Sequence, residues 1–153
     1  MKIYDYIDEK NIIFIDKNYN KDELLKFFAK KFKELYSELD EEEIYKALYE
    51  REILSSTAVG EEVAIPHAKI NNLDDLKILI ALSDNGLDFD AVDDLPVRLF
   101  FVVIAPSSKM QLHLKALARI SRLIKMTDFK EKVLKCNNPS DALEVLKEEE
   151  DKL

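Results

Sequence analysis

Residues 97–105 read VRLFFVVIA and carry one charge, Arg98. A strand with one wet face alternates apolar and polar residues, because successive side chains point to opposite sides. This run does not alternate, so it reads as a strand covered on both faces. It is also far shorter than the roughly 20 apolar residues a membrane-spanning helix needs. Residues 76–83, LKILIALS, read the same way. Gly86 and the stretch DFDAVDD at 88–94 mark the connection between the two. Two such strands need a layer of helices on each side.

The flanking sequence supplies those layers. Residues 11–15, NIIFI, and 62–67, EVAIPH, are further strand candidates. In KDELLKFFAKKFKELYSEL (21–39), Leu24, Phe28, Phe32, Leu35 and Tyr36 recur at helical spacing. DEEEIYKALYEREIL (40–54) opens on Asp40 as N-cap, with an acidic first turn that suits the positive end of the helix dipole. Ile44, Ala47, Leu48 and Arg51 share one of its faces. In SSKMQLHLKALARISRLIK (107–125), Ser108 and Gln111 form a capping-box pattern that places the helix start. DFKEKVLK (128–135) is a shorter helix. In the last helix Asn138 is the expected N-cap and Pro139 the first helical residue. EEEDKL (148–153) is expected to fray. The order is one strand, two helices, a cluster of three strands, then three helices. It predicts an α/β fold, a small mixed β-sheet flanked by helices on both faces, in a single domain over 1–153.

Composition narrows the function. Net charge is −8 and the sequence pI about 4.9. Nucleic-acid binding rests on basic patches that neutralise phosphates, so it is not expected. The charged N-terminus, MKIYDYIDEK, lacks the apolar stretch of a signal peptide. No run is suited to membrane insertion, so a soluble cytoplasmic protein is expected. A single cysteine, Cys136, allows no internal disulfide and no cysteine-rich metal site.

Two histidines are the only candidates for nucleophilic or acid–base work near neutral pH. His67 follows Pro66 at the end of a strand. Pro66 has no N–H and a fixed φ, which suits a strand edge and narrows where His67 can point. His113 falls near the first turn of a helix, where free backbone N–H groups and the dipole favour an anion, and Lys109 adds positive charge. The residues alone leave two readings open. The histidines are unrelated, one exposed and one partly buried in the core, or they share a site. Zinc is not indicated, since no paired histidine spacing occurs. Neither is a serine or cysteine hydrolase or a glycine-rich nucleotide loop. No cofactor or metal is implied.

The segments Arg51-Glu52, SSTAVGEEVAIPHAK (55–69) and HLKALARISRLI (113–124) resemble the EIIA component, type 2, of the phosphoenolpyruvate-dependent sugar phosphotransferase system, the PTS. This is the fructose/mannitol and nitrogen-regulatory IIA family, and the resemblance runs over nearly the whole chain. It implies that His67 is the phosphorylated residue, through Nε2. It implies that His113 is the second active-site histidine and Arg51 the nearby arginine, with Thr57 and Ser108 supporting the phosphoryl site. The implied donor is the small carrier HPr, and the implied acceptor a cysteine or histidine on an EIIB domain during sugar uptake. The alternative within the family is a switch whose phosphorylation state selects regulatory protein targets. The chain departs from the family pattern at Ala58, at Glu61-Glu62, which replace a Gly/Asn pair, and at Ala68. Carboxylates near a phosphoryl group repel it unless they face away, so both glutamates are expected to face solvent.

Overall fold

The structure is a computed structural model describing all 153 residues. Its sheet is built on β6 (Val97–Pro106), where every residue except Arg98 is buried. β5 (Lys77–Leu87) lies antiparallel to it, with Ile80 opposite Phe101. β1 (Ile12–Ile15) continues the sheet in parallel beyond β5. On the other side of β6 lie β3 (Val63–Ala64) and β4 (His67–Ile70), both parallel to it. β2 (Ala58–Gly60) folds back on β3 as a short hairpin. The path is β1-β5-β6-β3-β2, with β4 beside β6 and open on its outer side.

The unbroken apolar runs are covered on both faces, as their patterning requires. Phe100, Val102 and Ile104 of β6 point into one cluster with Leu24, Phe28 and Phe32 of α1 (Lys21–Leu35) and Ile44 and Leu48 of α2 (Glu41–Leu54). Leu99, Phe101 and Val103 point into the other. There they meet Ala116, Ile120 and Leu123 of α3 (Met110–Met126), Phe129 of α4 (Phe129–Val133) and Leu146 of α5 (Pro139–Glu150). Asp40 and Asn138 cap α2 and α5 as expected, accepting from the Glu43 and Asp141 amides.

EVAIPH is two strands rather than one. Val63 pairs with Leu99 and Ala64 with Phe100, and His67 resumes the same register opposite Val103. Pro66 accepts from the Val103 N–H at 2.9 Å but has no N–H to return, so the ladder breaks there. His67 therefore begins a strand instead of ending one. β2 has only three residues and no pattern to announce it.

Two further expectations need correction. The C-terminus does not fray. Glu149 is 1% and Glu150 0% exposed. Glu150 accepts from the Ile3 amide at 2.7 Å, the Tyr4 amide at 3.0 Å and Arg119 Nε at 2.8 Å. Glu149 takes Lys132 at 2.9 Å and Lys152 at 2.6 Å. A buried carboxylate needs such partners, and here they come from the N-terminal turn and from α3 and α4. The second correction concerns α3. It begins at Met110, with Lys109 in the capping position and no side-chain cap. Ser108 lies one residue too early for a capping box, because Lys109 N–H closes a turn onto the Pro106 carbonyl.

Candidate functional site

β4 brings His67 to the free edge of the sheet. Alternation along the strand sends Ala68 and Ile70 into the α1/α2 cluster, and so sends His67 toward α3. His113 is the fourth residue of α3 and projects back over the helix start. The two rings meet edge to face, with centroids 5.5 Å apart and planes at 74°. They line one hollow of about 440 Å³ that straddles the sheet edge. α2 contributes Arg51, Glu50 and Leu54, β4 contributes Lys69, and α3 contributes Met110 and Leu114. The sequence's two histidines and Arg51 are thus brought together.

His67 is held in one tautomer. Its Nδ1 lies 2.7 Å from the Ile65 carbonyl oxygen. A carbonyl only accepts, so Nδ1 carries the proton and Nε2 keeps its lone pair. Burial pushes the His67 pKa below its ordinary value; the Ile65 hydrogen bond opposes that, and the Arg51 charge adds to it. The ring is therefore neutral and nucleophilic at pH 7.

His113 is 4% exposed, and neither ring nitrogen has a hydrogen-bond partner. Buried polar atoms are almost always paired, so two orphans on one ring beside a nucleophile mark a place prepared for a polar guest. Burial first, then the neighbouring His67 and Lys69 charges, pull the His113 pKa down to about 4. A neutral imidazole still offers one N–H.

Arg51 donates through Nη1 to the Ser55 carbonyl at 2.9 Å, across the end of α2. Thr57 stands behind the site rather than in it. It is 4% exposed, and its hydroxyl faces Glu52 at 2.6 Å. Ser108 lies outside the hollow, exposed in a separate recess with Lys109 and Gln111. Lys69 and Glu50 were not singled out by sequence. Lys69 had a readable signal, since it sits two residues after His67 and a strand puts both on one face.

Of the departures, Ala58, Glu61 and Glu62 lie away from the hollow, whereas Ala68 lines it. Glu61 is exposed and Glu62 half-exposed, pairing with Arg98 at 3.8 Å. Both occupy positive φ, 56° and 72°, as a two-residue type I′ hairpin turn demands. Gly60 before them, at φ 95°, passes against Asp93, whose carboxylate accepts the Glu61 amide at 2.7 Å. Ala58 and Ala68 have no positive φ, so the missing glycines cost the backbone nothing there.

A family model described as "Phosphoenolpyruvate-dependent sugar phosphotransferase system, EIIA 2" matches residues 5–149. The chain is 38% identical to a nitrogen regulatory protein of Bradyrhizobium diazoefficiens over 133 residues, 87% of this chain and 86% of that one. It is 36% identical to a PTS system fructose-specific EIIA component of Haloferax volcanii over 109 residues, 71% of each. Its fold is similar to the nitrogen regulatory protein IIA-Ntr of Neisseria meningitidis, with TM-score 0.84 and 23% identity over 94% of this chain and 98% of that one. It is also similar to a chain in the complex of IIA and phosphorylated IIB mannitol enzymes of Escherichia coli, with TM-score 0.75 and 18% identity over 93% and 97%.

Proposed function

The chain belongs to the EIIA type 2 family of the phosphoenolpyruvate-dependent sugar phosphotransferase system, and from that premise we propose that it is a phosphoryl carrier whose acceptor is His67. The observation that carries this reading is the pair of rings: His67 with Nε2 free, facing a buried His113 whose nitrogens have no partner.

The Nε2 lone pair attacks the phosphorus of a phosphohistidine on HPr. The new P–N bond forms as the donor's P–N bond breaks, and that electron pair returns to the donor ring. The His67 ring gains positive character while Nδ1 keeps its proton, and the Ile65 carbonyl stabilises that N–H throughout. His113 donates its one N–H to a phosphoryl oxygen, and the Arg51 and Lys69 charges offset the incoming negative charge. Such transfer depends on positioning and charge stabilisation more than on covalent help from the protein. The next step hands the group to a cysteine or histidine on an EIIB domain. A fold neighbour seen with a phosphorylated IIB enzyme supports that class of acceptor.

Leu54 is 79%, Leu114 58% and Met110 42% exposed around the hollow, which suits a transient apolar docking rim. No helix is long and apolar enough to cross a membrane. The reading places the whole chain, as one EIIA domain, in the cytoplasm beside its donor. The test is incubation with phosphoenolpyruvate, enzyme I and HPr. Acid-labile phosphate is expected on the wild type and absent from His67→Ala. Equal labelling of His67→Ala overturns the assignment.

A second reading is a regulatory switch. It draws on the relative named as a nitrogen regulatory protein, which aligns over more of this chain than the fructose-specific one does. Here the same His67 chemistry changes which protein targets are bound. Transfer to a cognate EIIB supports sugar uptake. A complex with a non-transport protein that dissolves on phosphorylation supports regulation.

A further inference from the structure

Glu52, next to Arg51, lies outside the hollow and is 5% exposed, yet its carboxylate is bonded on both oxygens. Oε1 accepts the Thr57 hydroxyl at 2.6 Å, and Oε2 accepts the Thr57 amide at 2.7 Å and Lys21 Nζ at 3.0 Å. Lys21 also lies over the Phe89 ring at 4.7 Å and reaches Asp90 at 3.4 Å. This clamp closes the turn Leu54-Ser55-Ser56 where α2 stops.

The connections continue from Thr57 to the site. The Thr57 carbonyl accepts the Ile65 amide at 3.0 Å. The Ile65 carbonyl is the group that holds His67 Nδ1. Ile65 and Pro66 form the gap between β3 and β4, so the sheet ladder does not fix Ile65 by itself. The same turn presents the Ser55 carbonyl to Arg51.

We infer that Glu52 is a positioning residue for phosphoryl transfer: through Thr57 it fixes Ile65, whose carbonyl keeps the His67 proton on Nδ1 and the Nε2 lone pair free. Thr57 is the middle member of this chain of contacts and touches no phosphoryl group. The Arg51-Glu52 pair then has a division of labour. One side chain faces the hollow and the other holds the loop that aims the nucleophile. Were Ile65 to move, the ring proton would redistribute between the two nitrogens, and the fraction of rings with a free Nε2 would fall.

This inference rests on His67 being the acceptor, but its first test needs no partner protein. Nitrogen-15 spectra of the His67 ring at pH 8 read the tautomer directly. Wild type and Thr57→Ser should show protonated Nδ1 and bare Nε2. Thr57→Val keeps the volume and deletes the hydroxyl, while Glu52→Gln weakens the carboxylate's hold. In both, the Nε2 resonance should move toward the protonated position, and uptake from phospho-HPr should fall roughly ten- to a hundredfold, the scale of a misplaced reacting group. Unchanged ring nitrogens in folded Thr57→Val and Glu52→Gln overturn the inference, even if uptake slows. If the wild type takes up no phosphoryl group, the carrier reading fails, and the ring spectra still decide the positioning role.

Discussion

Replacing His113 by leucine should make the unphosphorylated protein more stable, and increasingly so as pH falls. At pH 7 the wild type buries a ring with two unpaired nitrogens. An unmade buried hydrogen bond costs about 1–3 kcal/mol, and leucine, of similar volume, has none to make. The rest comes from proton linkage. The His113 pKa is about 4 in the folded protein against 6.5 when unfolded. Between those values the unfolded chain binds the proton and the folded one does not, so folding stability is present in full above pH 6.5 and is lost as pH falls toward 4. At pH 4.5, two pH units below the unfolded value, the loss is about 2.5 kcal/mol. His67, also depressed, is present in both proteins, so the difference between them isolates His113. Urea unfolding at pH 7 and 4.5 should give a gap of about 1–3 kcal/mol that widens to about 3.5–5.5, with unchanged denaturant slopes. Parallel stability profiles would show that the folded ring titrates normally. A His113→Leu protein less stable than wild type at pH 7 would show that its nitrogens are satisfied.

Other outcomes follow from the same geometry. His113→Ala should accept phosphate from HPr yet pass it on roughly ten- to a hundredfold more slowly, the loss of one hydrogen bond to a charged group; rapid-quench transfer to EIIB measures this, and normal kinetics would remove His113 from the relay. Arg51→Ala should raise the His67 pKa, because the arginine charge now helps to lower it, and an NMR titration of the ring reads the direction. Glu61→Asn with Glu62→Gly should stabilise the protein by about 1–2 kcal/mol, since left-handed backbone costs a β-carbon residue about that much and glycine almost nothing; a lower urea midpoint would mean that this turn is not strained. Glu150→Ala should destabilise by about 3–5 kcal/mol, because it leaves Arg119 without its buried partner and orphans two amides, and the Ile3 and Tyr4 amides should exchange faster with solvent.

The sheet centre was legible because it obeys a simple rule. β5 and β6 are apolar without alternation, and only a strand covered on both faces has that pattern. The caps at Asp40 and Asn138 were legible because capping is local. What escaped the sequence was set by distant partners. EEEDKL looks like a solvated tail until Ile3, Arg119 and Lys132 supply donors from elsewhere in the chain. Ser108 looked like a cap until the turn from Pro106 took the position. In the site, His67, His113 and Arg51 could be named from the sequence. The side to which Thr57 turns its hydroxyl could not, since Glu52 claims it through a contact that only the folded turn creates.

The constant register across Pro66 has a consequence for how this chain can vary. Strand geometry assigns side chains to faces by parity, odd positions of this edge to one side and even positions to the other. Val63, Ile65 and His67 share theirs, and the two-residue interruption preserves it. Losing or gaining one residue between Ala64 and His67 would leave the sequence almost unchanged and turn the imidazole toward α2, away from His113. Two residues at this gap are therefore a counted spacer. A relative whose spacer differs by one has its histidine on the opposite wall of the sheet, whatever its overall similarity.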